Sequence, residues 1–170
     1  LNYRRTPLSA RMAFEARNVT PAAAARMATL VVGRLNELSA TLGPRTGPSW
    51  NEVPGQLAPS FARVQQQLAR VAPAVPGRPK SSALTFYFRW AGVDGMTNPF
   101  LLEILPNRSL LPFERLSVTA HEWAHLAGYA DESEAGLVGW LVCLQGPPAA
   151  EYSAHLQLAW QLLAALPPPE

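Results

Sequence analysis

Apolar residues in the first part of the chain recur at intervals of three and four, which is the spacing of one helix face. Thr20 followed by Pro21 is typical of a helix start, and Gly43 is typical of a helix end. The apolar face between these signals consists of Met27, Val31, Leu35, Leu38 and Leu42. The same spacing predicts a second helix over residues 60–71, after a loop over residues 43–59 that is rich in proline and glycine. Residues 1–72 are therefore expected to be an N-terminal helical part.

The period changes to two between residues 84 and 90, where apolar and polar positions alternate as they do in a half-buried strand. A turn over residues 92–95 and a short apolar run over residues 100–105 follow. Prolines flank this run and cannot donate to a sheet, so the run is predicted to be an edge strand. A small sheet is therefore expected over about residues 83–105.

The helical period returns after the predicted sheet and continues to the end of the chain. It predicts a helix over about residues 112–127, ended by Gly128, and a helix over about residues 131–145, ended by Gly146. A last helix is expected over about residues 149–166. The order of helices, small sheet and helices predicts a single α+β domain over residues 1–170, mainly helical.

The composition narrows the classes of function. The 170 residues include 48% hydrophobic residues, enough for a sizeable core, and the formal net charge is only +2. The arginines are scattered rather than gathered in a basic stripe, which argues against nucleic-acid binding. Cys143 is the single cysteine, so no internal disulfide can form. No apolar run is long enough to span a bilayer, so membrane attachment is expected only through a segment missing from this chain. The pattern does not specify an oligomeric state.

Two histidines, His121 and His125, lie four residues apart in the predicted helix and bracket Glu122. Side chains four residues apart project from the same helix face, so two imidazole nitrogens can reach one zinc ion. Glu122 projects off that line, where it can hold a water that the ion has polarised. This spacing predicts a Zn²⁺ site with two ligands and a general base.

The flanks of this motif favour the metal interpretation over an incidental pair of histidines on a surface helix. They make the helix apolar nearly all round, which predicts a buried helix. Two histidines and a carboxylate on a buried helix need polar partners, and a metal ion supplies them. The apolar flanking residues are Val118, Ala120, Trp123, Ala124 and Leu126.

Four residues are candidates for the third metal ligand: Asp131, Glu132, Glu134 and His155. Residues 131–134 have the form of a capping box, in which Asp131 caps the helix and Glu134 reaches back to it. Both acids would then form hydrogen bonds with backbone N–H groups at the helix start, which leaves Glu132 free to bind the ion. Asp131 and Glu134 remain alternatives, while His155 on the last helix is interpreted as an ordinary helix-face histidine.

The run HEWAHLAGYADESEAGLVGWL at residues 121–141 resembles the gluzincin pattern, in which HExxH precedes a glutamate-containing helix. In related peptidases the glutamate three residues before the alanine of that segment binds zinc. That alanine is matched by Ala135, so the resemblance selects Glu132. It implies a zincin-like fold with a small sheet packed on the HExxH helix.

A narrower resemblance covers most of the chain. The sequence is similar to a bacterial, membrane-attached family known as domain of unknown function 3810, whose members are expected from their motif to be metallopeptidases. This implies a catalytic domain outside the cytoplasmic membrane, in the cell envelope. Gly136 departs from the family pattern, which usually has asparagine at this position. The resemblance rests on four segments: LNYRRTPL at the start, residues 80–82, 112-PFERLSVTAHE-122 and 151-EYSAHLQLAW-160.

The leading hypothesis is a zinc-dependent peptidase acting on a peptide or protein substrate. Glu122 is expected to take the proton of the attacking water and pass it to the leaving amine. Tyr152 is the candidate donor to the oxyanion. The predicted strand that contains Leu102, Glu103 and Ile104 is expected to bind an extended peptide by strand addition.

Two other hypotheses are compatible with the sequence. The first is a catalytically impaired zincin-like module that binds metal and a peptide or protein partner without turnover. It is considered because Gly136 departs from the family pattern. A purely helical interaction domain without metal would require the HEWAH match to be coincidental.

Overall fold

Helices cover most of the chain in the computed structural model, which describes residues 6–15, 19–43, 47–68, 73–75, 77–80, 82–83, 85–98, 101 and 103–165. A mainly helical α+β arrangement is confirmed, and the small sheet packs on the HExxH helix, α5. The elements of the described residues are α1 (Leu8–Arg11), α2 (Pro21–Leu42), α3 (Val53–Gln67), α4 (Thr85–Ala91), β1 (Gly95–Asn98), β2 (Glu103–Pro106), α5 (Arg115–Leu126), α6 (Glu132–Leu144) and α7 (Pro148–Ala165).

Helix α2 begins and ends where the sequence predicts. Thr20 Oγ1 accepts the backbone N–H of Ala23, which satisfies one of the free donors at the helix start. Gly43 follows the last turn with a φ of 70°, a conformation that favours glycine. Helix α2 packs along α7, and the guanidinium of Arg34 donates to both oxygens of Glu151 at 2.7 and 3.0 Å. These hydrogen bonds lower the pKa of the Glu151 carboxyl.

Helix α3 begins at Val53, so the prediction of a start at Ser60 was wrong. Three of the residues that suggested a loop, Pro54, Gly55 and Pro59, lie inside the helix, which tolerates them. Pro54 is in the first turn, where a backbone N–H has no partner in the helix anyway. Pro59 does remove one helical hydrogen bond, and the burial of Val53 and Leu57 with no exposed surface offsets that loss. The predicted end of this helix at residue 71 lies outside the described residues.

In the described part of the predicted strand over residues 84–90, which starts at Thr85, the chain is a helix, α4. Its alternation was misleading because apolar side chains lie all round this segment, and only Phe88 is buried. Gly92, with a φ of 67°, follows the helix, and the N–H of Val93 donates to the C=O of Phe88 at 2.9 Å. This is the Schellman arrangement of a helix end, so Gly92 stops a helix here and does not turn a hairpin.

Strands β1 and β2 form a two-stranded antiparallel sheet in which Gly95 pairs with Pro106 and Thr97 pairs with Ile104. Pro79 makes a parallel bridge with Ile104 on the far side of β2. The far side of β2 is covered at Ile104 by this bridge, and β1 has an open edge among the described residues. The predicted edge strand over residues 100–105 corresponds in its described part to β2, which is an outer strand of the two-stranded sheet and begins at Glu103.

Helix α5 is buried nearly all round, as its flanks predict. It packs against α3, α6, α7 and both strands. Trp123 is fully buried, and its ring lies 5.2 Å from that of Phe61 while its indole N–H donates to the C=O of Gly77 at 2.8 Å. Cys143 on α6 also lies in this core, and burial raises the pKa of its thiol to about 12. The thiol is therefore protonated at neutral pH, which excludes Cys143 as a nucleophile.

Glycine allows the close approach of α6 to α5. A Cβ added at Gly139 would lie 2.9 Å from the backbone N of His121 and 3.0 Å from its Cα, both parts of a rigid helix. At Gly136, on the same helix, an added Cβ would meet nothing within 4 Å. The distance between the two helices is thus set at Gly139.

We expect opposite effects from alanine at these two glycines. Gly139→Ala forces the helices apart, and overpacking of this kind typically costs about 1–3 kcal/mol. Gly136→Ala is the matched control, since it removes a glycine from a helix interior without a clash and stabilises by about 0.5–1 kcal/mol. Thermal unfolding of the two variants checks this, and an unchanged midpoint for Gly139→Ala would contradict the close approach.

None of the helices in the described part of the chain is both long and apolar enough to cross a membrane.

Candidate metal centre

Helix α5 places His121 and His125 on one face, and the end of the helix orients the second ring. Gly128, with a φ of 87°, donates its N–H to the C=O of His125, and the N–H of Tyr129 donates to the C=O of Ala124 at 3.1 Å. This Schellman end turns the C=O of Tyr129 back toward the helix. Nδ1 of His125 lies 2.7 Å from that oxygen and donates to it.

The start of α6 supplies a carboxylate beside the two histidines. Asp131 caps the helix as predicted, since its side chain accepts the N–H groups of Ser133 at 3.0 Å and Glu134 at 3.1 Å. The Ser133 hydroxyl and these N–H groups lower the pKa of the Asp131 carboxyl. Glu132 follows the cap directly and is not engaged by it. Its side chain is 81% exposed, so it can approach an ion from the solvent side of the cleft.

Three donor atoms of His121, His125 and Glu132 converge in the structure. The two Nε2 atoms lie 3.1 Å apart, and the Glu132 carboxylate approaches them at 3.1 Å for His121 and 3.5 Å for His125. Ligands at about 2.0–2.1 Å from a tetrahedral zinc are separated by roughly 3.3–3.4 Å. The spacing and the chemistry of the three donors therefore fit a zinc ion. A search of the described residues for three or more histidine, cysteine or acidic side chains close enough to share one ion finds this group.

The two histidines differ in whether Nδ1, the ring nitrogen that faces away from the cluster, has a hydrogen-bond partner. Nδ1 of His125 must carry its proton because it faces a carbonyl oxygen, which leaves the lone pair of Nε2 directed at the cluster. Nδ1 of His121 is buried and has no hydrogen-bond partner within the described part of the chain. His125 is thus held in the tautomer that a metal requires, while His121 is positioned by the packing of α5.

Glu122 is only 6% exposed and lies against β1. The hydroxyl of Thr97 donates to its carboxylate at 2.7 Å. Gly95 provides room for the same carboxylate, because an added Cβ would lie 3.0 Å from Oε1. Strand β1 therefore fixes the position of Glu122 beside the two histidines.

The cluster opens into a cleft of about 850 Å³. Four residues that line the cleft were not predicted from the sequence: Gly95 and Thr97 on β1, and Gln157 and Gln161 on α7. The four-residue spacing of the two glutamines was a helical signal that could have paired them, but the strand gave no comparable pattern. The cleft is lined by Asp94, Gly95, Met96, Thr97, Val118, His121, Glu122, His125, Gly128, Ala130, Glu132, Gly136, Gln157 and Gln161.

Two groups of predicted site residues lie away from this cleft. The ring of Tyr152 packs edge-on against Phe113 at 6.5 Å, and Tyr152 is not among the described residues that line the cleft. Glu103 pairs with Lys80, and Ile104 is fully buried in β2, and neither is among the described residues that line the cleft. Leu102, the third predicted substrate-binding residue, lies outside the described residues.

The remaining ligand candidates have other partners. The carboxylate of Glu134 accepts the N–H of Leu8 and so ties α6 to the N-terminal segment. His155 is buried on α7, with Nδ1 2.9 Å from the C=O of Glu151 and its ring 6.3 Å from that of Trp140. The structure brings together the histidine pair and Glu132, as the capping argument favoured.

The fold and site define a mainly helical α+β protein with a His–His–Glu cluster in an open cleft. The chain belongs to the family described as protein of unknown function (DUF3810), whose sequence model matches residues 1–168. No curated protein and no solved structure matches the chain.

Proposed function

We propose that this protein is a zinc-dependent metallopeptidase with a zincin-like active site. The observation that carries the proposal is the convergence of His121, His125 and Glu132, with the buried carboxylate of Glu122 held beside them. In agreement with the family resemblance, we place this domain in the bacterial cell envelope, outside the cytoplasmic membrane.

The donor set suits zinc because it combines two imidazoles and a carboxylate and leaves a position open to the cleft. When bound, zinc lowers the pKa of a water and polarises a substrate carbonyl. His121 and His125 would hold the ion from α5, and Glu132 would hold it from the first turn of α6.

Glu122 is the general base in this proposal. Its carboxylate receives the proton of the water that attacks the scissile carbonyl, and it returns that proton to the leaving amine. The Thr97 hydroxyl holds one oxygen of the carboxylate at 2.7 Å. The other oxygen, Oε1, faces Gly95, where no side chain competes for the water.

The open edge of β1 is the proposed binding site for an extended peptide. The C=O of Asp94 accepts the N–H of Asn107 at 2.8 Å, in the same register that pairs Gly95 with Pro106. Bonded and non-bonded pairs alternate along an antiparallel ladder, so the backbone groups of Gly95 and Thr97 point away from β2. They can pair with a substrate strand that passes the metal cluster.

The amide side chains of α7 are the proposed donors to the substrate, in place of Tyr152. Gln157 and Gln161 lie four residues apart on one helix face and both line the cleft. A carboxamide N–H can donate to a developing oxyanion or to a peptide carbonyl.

A quenched-fluorescence peptide library tests the proposed activity. The zinc-loaded protein should cleave a subset of peptides, a chelator should stop the cleavage, and added zinc should restore it. Metal binding without cleavage of any peptide would favour the alternative function, a catalytically impaired zincin-like module that binds a peptide or protein partner.

Thr97→Val should lower turnover by about 10- to 100-fold, the usual cost of losing a hydrogen bond that orients a group at a metal site. The substitution keeps the shape of the side chain but removes the donor to Glu122. Thr97→Ser restores the hydroxyl and should recover most of the activity, and zinc content should be the same in all three proteins. Equal turnover for the valine and serine variants would contradict a positioning role for Thr97.

A further inference from the structure

Helix α4 exposes three aromatic side chains to solvent. Phe86 is 83% exposed, Tyr87 is 54% exposed and Trp90 is 81% exposed. A residue in a helix advances by about 100°, so these three side chains lie within an arc of roughly 100°. Phe88, on the opposite side, is the residue that anchors the helix to the protein. We call Phe86, Tyr87 and Trp90 the aromatic face.

The charge on α4 itself is positive. Arg89 is exposed on this helix next to the aromatic face, and residues 85–93 contain no acidic residue. Tryptophan and tyrosine are the residues enriched where a bilayer meets water, and arginine beside them can keep its charge in the headgroup layer. Exposed apolar patches of this kind mark an interaction site.

We propose that the aromatic face of α4 binds the surface of an anionic lipid bilayer. Arg89 on the same helix complements negative headgroups, and the aromatic rings can enter the interfacial layer without crossing it. A second copy of this chain is a poorer occupant, because a symmetric pairing of the two α4 helices would bring their Arg89 side chains toward one another.

The position of α4 connects this surface to the cleft. Helix α4 ends at Ala91 and β1 begins at Gly95, and the link is fixed by the hydrogen bond from Val93 to Phe88. A bilayer bound at the aromatic face would therefore hold β1 and its open edge near the lipid surface. If the proposed peptidase function holds, on which this consequence rests, its substrates are peptide segments at or near a bilayer surface.

Vesicle binding tests the proposal without any requirement for metal or turnover. The protein should sediment with vesicles of phosphatidylglycerol and phosphatidylcholine, and less with vesicles of phosphatidylcholine alone. Phe86→Ser with Trp90→Ser should weaken partition to the anionic vesicles by about tenfold or more. The control is Trp160→Ser with Leu163→Ser, which removes exposed apolar side chains from α7 and should leave partition unchanged.

A second readout uses conservative variants that retain binding. Brominated lipids should quench tryptophan fluorescence of the bound protein, and Trp90→Phe should remove most of that quenching while Trp160→Phe should not. The proposal is overturned if the protein does not sediment with anionic vesicles, if the two double variants partition equally, or if quenching persists in Trp90→Phe. It is also overturned if the serine variant of α4 loses self-association in place of vesicle binding.

Discussion

Glu122→Gln should abolish most of the peptidase activity while zinc remains bound. A general base typically contributes about 10²–10⁴-fold to a rate, so we expect a loss of at least about 100-fold in kcat/KM. Glutamine has the shape of glutamate, and its side-chain oxygen can still accept the hydroxyl of Thr97. The fold and the metal ligands are therefore expected to be unaffected, and the loss should appear in turnover.

Glu103→Gln is the matched control for this variant. It makes the same chemical change at a carboxylate that pairs with Lys80 outside the cleft. Its activity should stay within about twofold to threefold of wild type, as for ordinary surface substitutions. Both proteins should be compared on the same peptide at equal zinc content. Equal cleavage by wild type and Glu122→Gln would show that another group, or a contaminant, performs the hydrolysis.

Glu132→Ala should weaken zinc binding more than any other acidic substitution at the start of α6. Loss of a group that merely supports a ligand costs about 10- to 100-fold in metal affinity, so loss of the ligand itself should cost more than 100-fold. The side chain is largely exposed, and its removal leaves no cavity in the core. Competition with a fluorescent zinc chelator measures the dissociation constant directly.

Substitutions of the neighbouring acids Asp131 and Glu134 distinguish metal binding from helix capping. Asp131→Ala removes the helix cap and should cost about 0.5–2 kcal/mol of stability, with a smaller effect on zinc. Glu134→Gln should leave zinc affinity unchanged, because the Glu134 carboxylate accepts the N–H of Leu8. If Asp131→Ala or Glu134→Gln weakens zinc binding as much as Glu132→Ala, the proposed ligand set is wrong.

The parts of the site that follow from short-range rules could be predicted from the sequence. His121 and His125 share a face because a helix repeats every 3.6 residues. Asp131 caps α6 because aspartate before an apolar helix accepts the free N–H groups of the first turn. With that cap in place, Glu132 was the acid left to face the histidines, and the structure brings it to them.

The parts that depend on tertiary contacts could not be predicted in this way. Thr97 contacts Glu122 across 25 residues of chain, and no local pattern in residues 95–98 indicates that contact. Tyr152 was chosen from its position on the last helix, but the rotation of α7 turns the two glutamines toward the cleft and packs Tyr152 on Phe113. A helix period specifies which residues share a face, and packing decides where that face points.

Helix α4 illustrates the limit of hydrophobic patterns. Alternation identifies a strand when one face is buried and the other is polar. In residues 85–91 aromatic side chains occur on both faces, so the pattern fits a strand and a helix equally well. The pattern is ambiguous because residues of the same type have different environments: Phe88 is packed into the protein, while Phe86 and Trp90 are exposed. Gly92 was the better signal, because it ends the helix in a Schellman arrangement.

The zinc content of the protein purified without chelators tests the central claim most directly. Elemental mass spectrometry of the wild-type protein should find one zinc ion per chain, and the His121→Ala, His125→Ala double variant should retain almost none. Wild-type protein that contains no zinc, and does not take it up when zinc is supplied, would contradict the proposed metal centre and the peptidase function that depends on it.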